Sequence, residues 1–340
     1  MLRNICICGG GSTGHVMAGY LSGKGKVCVN ILTTKPDRWS KTLKINTPDG
    51  GEIVGKLNVI TAAAATIIPQ CDVVLLCLPG FAIKEELLKI QPYVKPGTFV
   101  GSVFSSTGFF FEALKIFDKN IKLFGFQRVP FISRVKEYGR EANLLGYKNS
   151  LNIAIENADD KESFRAEIEQ MLDVPVILLK NYYEASFTNS NPLLHPARLY
   201  SMFRNWHEGV FYDHNVAFYE EWDNYSSDLL IKMDAEFFEL NAKLPVRKDY
   251  LPTLLDYYES HDAESLTRKI ASIAGFKGIM APMKQVEGGW VPDFKSRYFI
   301  EDFPFGLRYI YEKAQEMGVE TPVIKEVFDW GMEVYRKYSL

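Results

Sequence analysis

Apolar residues in the first half of the chain gather in short runs without polar alternation: NICIC (4–8), KVCVNILT (26–33), DVVLLCLP (72–79), TFVGSVF (98–104) and IKLFGFQ (121–127). Such runs fit strands buried on both faces of a parallel sheet, with the helical stretches between them as crossovers. Asp49-Gly50-Gly51 and the stretch NLLGYKNSLNIAIE (143–156) predict hairpins appended to that sheet. DDKESFRAEIEQML (159–172) predicts a helix and VPVILLK (174–180) a last strand. Beyond residue 182 the texture changes. Strand-like runs disappear, aromatic residues become denser, and LYSMFRNWHEGVF and IKMDAEFFELNAKL carry helical spacing.

A chain of 340 residues exceeds the size at which a single core usually stops growing. The change of pattern therefore predicts an α/β domain over 1–182 and an all-α domain over 183–340. No linker rich in Gly, Ser or Pro separates them, so the expectation is two tightly packed domains sharing a cleft. With 47% hydrophobic and 24% charged residues and a formal net charge of −3, the composition is that of an ordinary globular protein. It lacks the basic excess that marks a nucleic-acid partner. The start, MLRNICICGGG, holds an apolar run too short for a signal-peptide core or a membrane span, so a cytoplasmic protein is expected. The five cysteines (Cys6, Cys8, Cys28, Cys71, Cys77) lie in or beside β-type runs with no second ligand pair at zinc spacing. Buried reduced thiols and no metal are the reading.

Directly after the first predicted strand stands CGGGSTGHVMAGYL, with Gly9-x-Gly11-x-x-Gly14 opening a helix-like run. Gly9 permits a tight turn, Gly11 leaves room for a pyrophosphate, and Gly14 lets helix and strand approach. The phosphates would lie at the helix start beside Ser12, Thr13 and His15, where free N–H groups favour anions. The second strand ends at Thr33 and Thr34, followed by Lys35 and Arg38, with no carboxylate before Asp37. Hydroxyls and basic groups there suit a 2′-phosphate, yet a solvated loop would tolerate NAD, and the choice between NADH and NADPH stays open. Pro79, after the strand 72–79, is a further candidate at the cofactor site.

Hydride transfer to a carbonyl or imine carbon needs a proton donor, for which histidine suits neutral pH. His207, His214 and His261 sit among charges and read as exposed or structural. His195 stands in TNSNPLLHPARLY, at the start of the second domain, between apolar residues and Pro196. On sequence alone it is either a core histidine at a helix start or the acid.

Several segments together resemble the octopine/nopaline dehydrogenase family, the opine dehydrogenases, along nearly the whole chain: CGGGSTGHV, LPGFA (78–82), RVKEYGREANLLGYKNSL (134–151), LLHPARL (193–199) and FKGIMAPMKQVEGGWVPDFKSRYFIEDFPFG (276–306). The resemblance implies a Rossmann-type dinucleotide-binding domain followed by a helical domain like the C-terminal domain of 6-phosphogluconate dehydrogenase. It implies reductive condensation of an amino acid with a 2-oxo acid, pyruvate by preference, using NADH or NADPH. It also implies that His195 of the HP motif pairs with Asp302 of the EDxP motif, and that Arg297 of the RY motif belongs to the substrate site. The chemistry is consistent: one imidazole serves as base and acid at successive steps, a carboxylate fixes its tautomer, and a planar guanidinium suits a carboxylate. The competing reading of Arg297 is a local ion pair with Glu301, four residues on.

Octopine-type members carry a glutamate where this chain has Gln127, followed by Arg128, which places arginine as co-substrate in doubt and favours a neutral or acidic amino acid. Asn191 is a candidate for the nicotinamide amide or a substrate carboxylate, or else a helix cap. Ser106 and Thr107 follow a predicted strand where ligands gather. A simple 2-oxo or 2-hydroxy acid reductase and a non-catalytic nucleotide sensor are the alternatives, and the oligomeric state is not legible.

Overall fold

The computed structural model describes residues 3–338. The chain divides into two compact units between Ser186 and Phe187. That is four residues beyond the boundary expected from the sequence, because the short helix Tyr182–Ser186 packs on the first unit, with the Tyr182 ring against Phe110 and Phe111. The outermost residues of both predicted domains, 1–2 and 339–340, lie outside the described range.

The first unit contains twelve strands among its described residues: β1 (Asn4–Cys8), β2 (Cys28–Leu32), β3 (Thr42–Asn46), β4 (Glu52–Lys56), β5 (Ile60–Thr61), β6 (Val73–Leu76), β7 (Phe99–Ser102), β8 (Lys122–Phe126), β9 (Phe131–Glu137), β10 (Glu141–Tyr147), β11 (Leu151–Glu156) and β12 (Val176–Leu178). Eight of them form one sheet in the order β12-β11-β8-β7-β6-β1-β2-β5. From β8 to β5 every pair is parallel, and β11 runs antiparallel to β8. The apolar runs are its central strands, buried on both faces as their composition requires.

The other four strands form a second sheet, β4-β3-β10-β9, against the helix Ser12–Gly23. Asp49-Gly50-Gly51 does close a hairpin, β3 to β4, but in this second sheet. The hairpin expected within 143–156 does not exist. Residues 141–147 pair with β9 and β3, while 151–156 cross to the large sheet. The turn that makes a hairpin is Tyr138-Gly139, with Gly139 at φ +75°. Helix and small sheet meet so closely that a Cβ on Gly19 would fall 2.4 Å from Ile45.

The second unit is helical, built on Asn191–Phe203, Asn224–Lys243, Ala263–Ser272, Arg308–Glu316 and Pro322–Tyr338. One hairpin, β13 (Met283–Val286) with β14 (Gly289–Pro292), interrupts the all-α expectation. Residues Tyr298–Leu307 form a π-helix, with the Arg308 N–H bonded to the Phe303 carbonyl five residues back. Windings of this kind are rare, and they mark functional sites more often than chance.

Candidate active site

The first unit holds the glycine loop. Gly9 follows β1 at φ +117°, and a Cβ there would lie 2.6 Å from the Cys77 carbonyl oxygen. A Cβ on Gly14 would lie 2.5 Å from the Gly9 carbonyl. Both positions are closed to side chains by the protein itself. Gly11 differs, since its backbone is extended and nothing lies within 4 Å of a Cβ placed on it. Its missing side chain leaves a cradle above the first turn of the helix Ser12–Gly23, where unpaired N–H groups favour an anion. The loop therefore fits a dinucleotide pyrophosphate.

The neighbouring candidates divide. The Ser12 hydroxyl accepts the Val135 N–H at 3.1 Å and Thr13 Oγ1 lies 3.5 Å from Ser133, so both tie the helix start to β9. His15, expected beside the phosphates, is a structural residue instead. It is fully buried, its Nε2 accepts the Gly139 N–H at 2.7 Å, and Nδ1 must then donate to the Gly11 carbonyl at 2.9 Å. It stacks on Trp39 with centroids 4.1 Å apart, and burial pushes its pKa down, so a neutral ring pins the glycine loop to the β9–β10 turn. Thr33 is buried and accepts the Lys35 N–H at 3.3 Å. Thr34 and Arg38 are exposed, with the Arg38 guanidinium 4.6 Å above the Tyr138 ring. Pro79 stands after β6, beside β1, and caps the start of the helix Gly80–Ile90. Thr107 donates to the Phe104 carbonyl in the turn after β7.

Gln127 is not available to a substrate. It is 4% exposed, its amide donates to the Glu184 carbonyl at 2.7 Å, and its oxygen accepts from Asn152 at 2.9 Å. It is a buried tie between β8, β11 and the helix Tyr182–Ser186.

The second unit brings the expected pair together. His195, on the helix Asn191–Phe203, places Nδ1 2.8 Å from Asp302 Oδ2 on the π-helix. Tyr298, one turn before Asp302, sets its ring edge-on to the imidazole at 4.8 Å, and Phe218 does the same at 5.8 Å. Nε2 lies 3.0 Å from the Tyr219 hydroxyl. Arg297 grips Glu301 through Nε at 2.6 Å and Nη2 at 2.9 Å, the local ion pair weighed from the sequence, and its side chain is 78% exposed. This side-on grip turns the Nη1–Nη2 edge of the guanidinium away from Glu301. Asn191 does not cap the helix; Ser190 occupies the cap position, and Asn191 is exposed at the first helical position. His207, His214 and His261 lie outside the cluster and are exposed.

Two residues of the cluster are not singled out by the sequence. Tyr219 is one aromatic in an aromatic-rich half. Arg198 stands in the LLHPARL segment, which by itself gives it no role; it is 2% exposed and donates to the Phe218 and Glu221 carbonyls on either side of Tyr219.

Comparison with known proteins covers both units. Residues 178–335 match the family described as NAD/NADP octopine/nopaline dehydrogenase, alpha-helical domain, and residues 5–104 match ketopantoate reductase PanE/ApbA. Octopine dehydrogenase of Pecten maximus is 29% identical over 100% of this chain and 92% of its own length. The structure of octopine dehydrogenase with NADH and L-arginine superposes with a TM-score of 0.87 at 27% identity, covering 97% of this chain and 89% of the other. That with NADH and pyruvate gives a TM-score of 0.86 at 27% identity, covering 98% and 89%.

Proposed function

The chain belongs to the octopine/nopaline dehydrogenase family, and from that premise we propose that it condenses a neutral or acidic amino acid with pyruvate, reductively, to an N-(carboxyalkyl)amino acid. The observation that carries the reading is the 2.8 Å contact between His195 and Asp302. His195 takes a proton from the amine and returns one as the carbinolamine loses water, while Asp302 holds the Nδ1 proton and stabilises the charged ring. Arg297 keeps Glu301 on one edge and offers its Nη1–Nη2 edge to the oxo acid's carboxylate, so the ion pair and the substrate role are compatible.

A reduced nicotinamide dinucleotide, NADH or NADPH, supplies the hydride, and Gly9, Gly11, Gly14 and the helix start at Ser12 and Thr13 are the residues that would hold it. The preference for a neutral or acidic amine rests on the cationic Arg128, since Gln127 is tied to Glu184 and Asn152 and does not meet the amine. A cytoplasmic setting is part of the same proposal, because the reaction draws on the cell's pool of reduced nicotinamide dinucleotide. Among the described residues no helix is long and apolar enough to cross a membrane.

The test is spectrophotometric. Oxidation of NADH and, separately, NADPH is followed with pyruvate, with and without a pool of amino acids. Oxidation that requires both substrates supports the proposal, and dividing the pool names the amine. Oxidation with pyruvate alone would replace it with a simple oxo-acid reductase, the activity suggested by the ketopantoate reductase match of residues 5–104.

A further inference from the structure

Both ring nitrogens of His195 are taken. Nδ1 faces Asp302 and Nε2 faces the Tyr219 hydroxyl, while the rings of Phe218 and Tyr298 close on the imidazole from the sides. An ionised carboxylate can only accept, so Nδ1 carries a proton, and the neutral ring offers Nε2 as a lone pair that the phenol O–H fills. A substrate can exchange a proton with this imidazole only by displacing the phenol or by going through it.

Displacement is opposed by the way Tyr219 is held. Its ring stacks on Phe276 with centroids 4.1 Å apart and planes 17° from parallel, and the residue is 6% exposed. The segment that carries it hangs on Arg198, one turn from His195 on the same helix. Arg198 Nε donates to the Phe218 carbonyl at 3.0 Å and Nη2 to the Glu221 carbonyl at 2.6 Å; Nη1 reaches Asp223 at 3.0 Å and Ser226 at 3.1 Å. The base and the clamp that sets its neighbour therefore share one rigid element. Burial, aided by Tyr298, Tyr258 and Asp302, raises the Tyr219 pKa far above the usual phenol value, so the group keeps its proton between transfers.

We propose that Tyr219 is the outer member of a proton path Asp302–His195–Tyr219, its hydroxyl the group that meets the substrate, and that Arg198 is the positioning residue that keeps this hydroxyl on Nε2. The inference rests on the reaction proposed above. In the dehydration step the phenol gives its proton to the departing hydroxyl while the imidazolium Nε2–H passes its proton to the phenol oxygen. The C–O bond breaks, water leaves, the nitrogen lone pair forms the C=N bond, and His195 is left neutral, its Nδ1–H still donated to the Asp302 carboxylate. The earlier deprotonation of the amine runs along the same path in the opposite sense.

The experiment compares the wild-type enzyme, Tyr219→Phe and Arg198→Lys under the two-substrate assay, with kcat, KM and the solvent deuterium isotope effect as readouts. Tyr219→Phe is expected to lose about 100-fold or more in kcat. Arg198→Lys, which keeps charge but loses the fork, is expected to lose about tenfold in kcat with KM nearly unchanged. A fluorinated tyrosine at position 219, which keeps the ring and makes the phenol a stronger acid, should change kcat and its solvent deuterium isotope effect together; this arm also serves if Tyr219→Phe fails to fold. Retention of kcat within threefold in Tyr219→Phe, or a kcat and solvent isotope effect both unmoved by fluorination, would overturn the path. Wild-type turnover that needs no amine would instead withdraw the condensing reaction, and the same variants would then test the path on protonation of the carbonyl oxygen.

Discussion

Asp302 stands 107 positions from His195 in the chain and 2.8 Å from it in the fold. The contact exists because the π-helix sets Tyr298 and Asp302, four residues apart, against one imidazole, while Arg297 and Glu301 pair with each other. Asn at 302 can still accept the Nδ1 proton but cannot offset a charged ring. Asp302→Asn should therefore lose about 100-fold or more in kcat while KM for the dinucleotide is retained, since the glycine loop lies in the first unit. Steady-state kinetics with each substrate varied in turn checks both halves of this expectation.

Gly9 and Gly11 are glycines for different reasons, and substitution should separate them. Gly9→Ala forces a side chain onto φ +117° and against the Cys77 carbonyl, and should destabilise the first unit by roughly 1–3 kcal/mol. Gly11→Ala meets no protein atom within 4 Å. Its melting temperature without cofactor should match the parent, while its dinucleotide affinity falls. Thermal melts paired with cofactor titration decide the matter; equal destabilisation by both substitutions would contradict it.

What the sequence made legible follows from how each feature is encoded. The central strands were readable because burial on both faces requires uninterrupted Val, Ile, Leu and Phe. The β9–β10 hairpin was not, because Lys148-Asn149-Ser150 looks like the better turn, and only tertiary pairing sends 141–147 and 151–156 to different sheets. The glycine loop was recognisable from spacing, but the locked state of His15 depends on Trp39 and Gly139, far from it in sequence. The pairing of His195 with Asp302 was reached only through family resemblance, since nothing local links residues so far apart. Tyr219 and Arg198 escaped altogether, because their roles lie in backbone carbonyls and ring nitrogens that no residue pattern announces.

Asp234 offers a pH-dependent handle on the same unit. It is buried, accepting from Asn189 at 2.8 Å and from the Leu254 N–H at 2.7 Å, and burial raises its pKa to about 6. The unfolded carboxyl titrates near 3.9, so between the two values the folded state binds more protons. The carboxyl's contribution to stability is fully present below about pH 4 and is lost as pH rises through about 6, an effect of roughly 2–3 kcal/mol. Asp234→Asn should remove this slope. Denaturant unfolding of both proteins at pH 4.5 and 7 measures it, as the difference between their pH dependences.

Gln127→Glu is the substitution that family resemblance suggests for gaining a cationic amine, and the structure argues against it. The Gln127 amide donates to the Glu184 carbonyl and accepts from Asn152 in a buried site. An ionised Glu can keep the bond from Asn152 but sets a carboxylate oxygen against the Glu184 carbonyl, with burial adding the cost of desolvating the charge. A loss of about 1–3 kcal/mol in stability is expected, with no turnover of arginine gained. A thermal melt and an arginine-plus-pyruvate assay of the variant test this directly. Arginine turnover in a protein as stable as the parent would show that the side chain at 127 leaves its ties to Glu184 and Asn152 and reaches the amine.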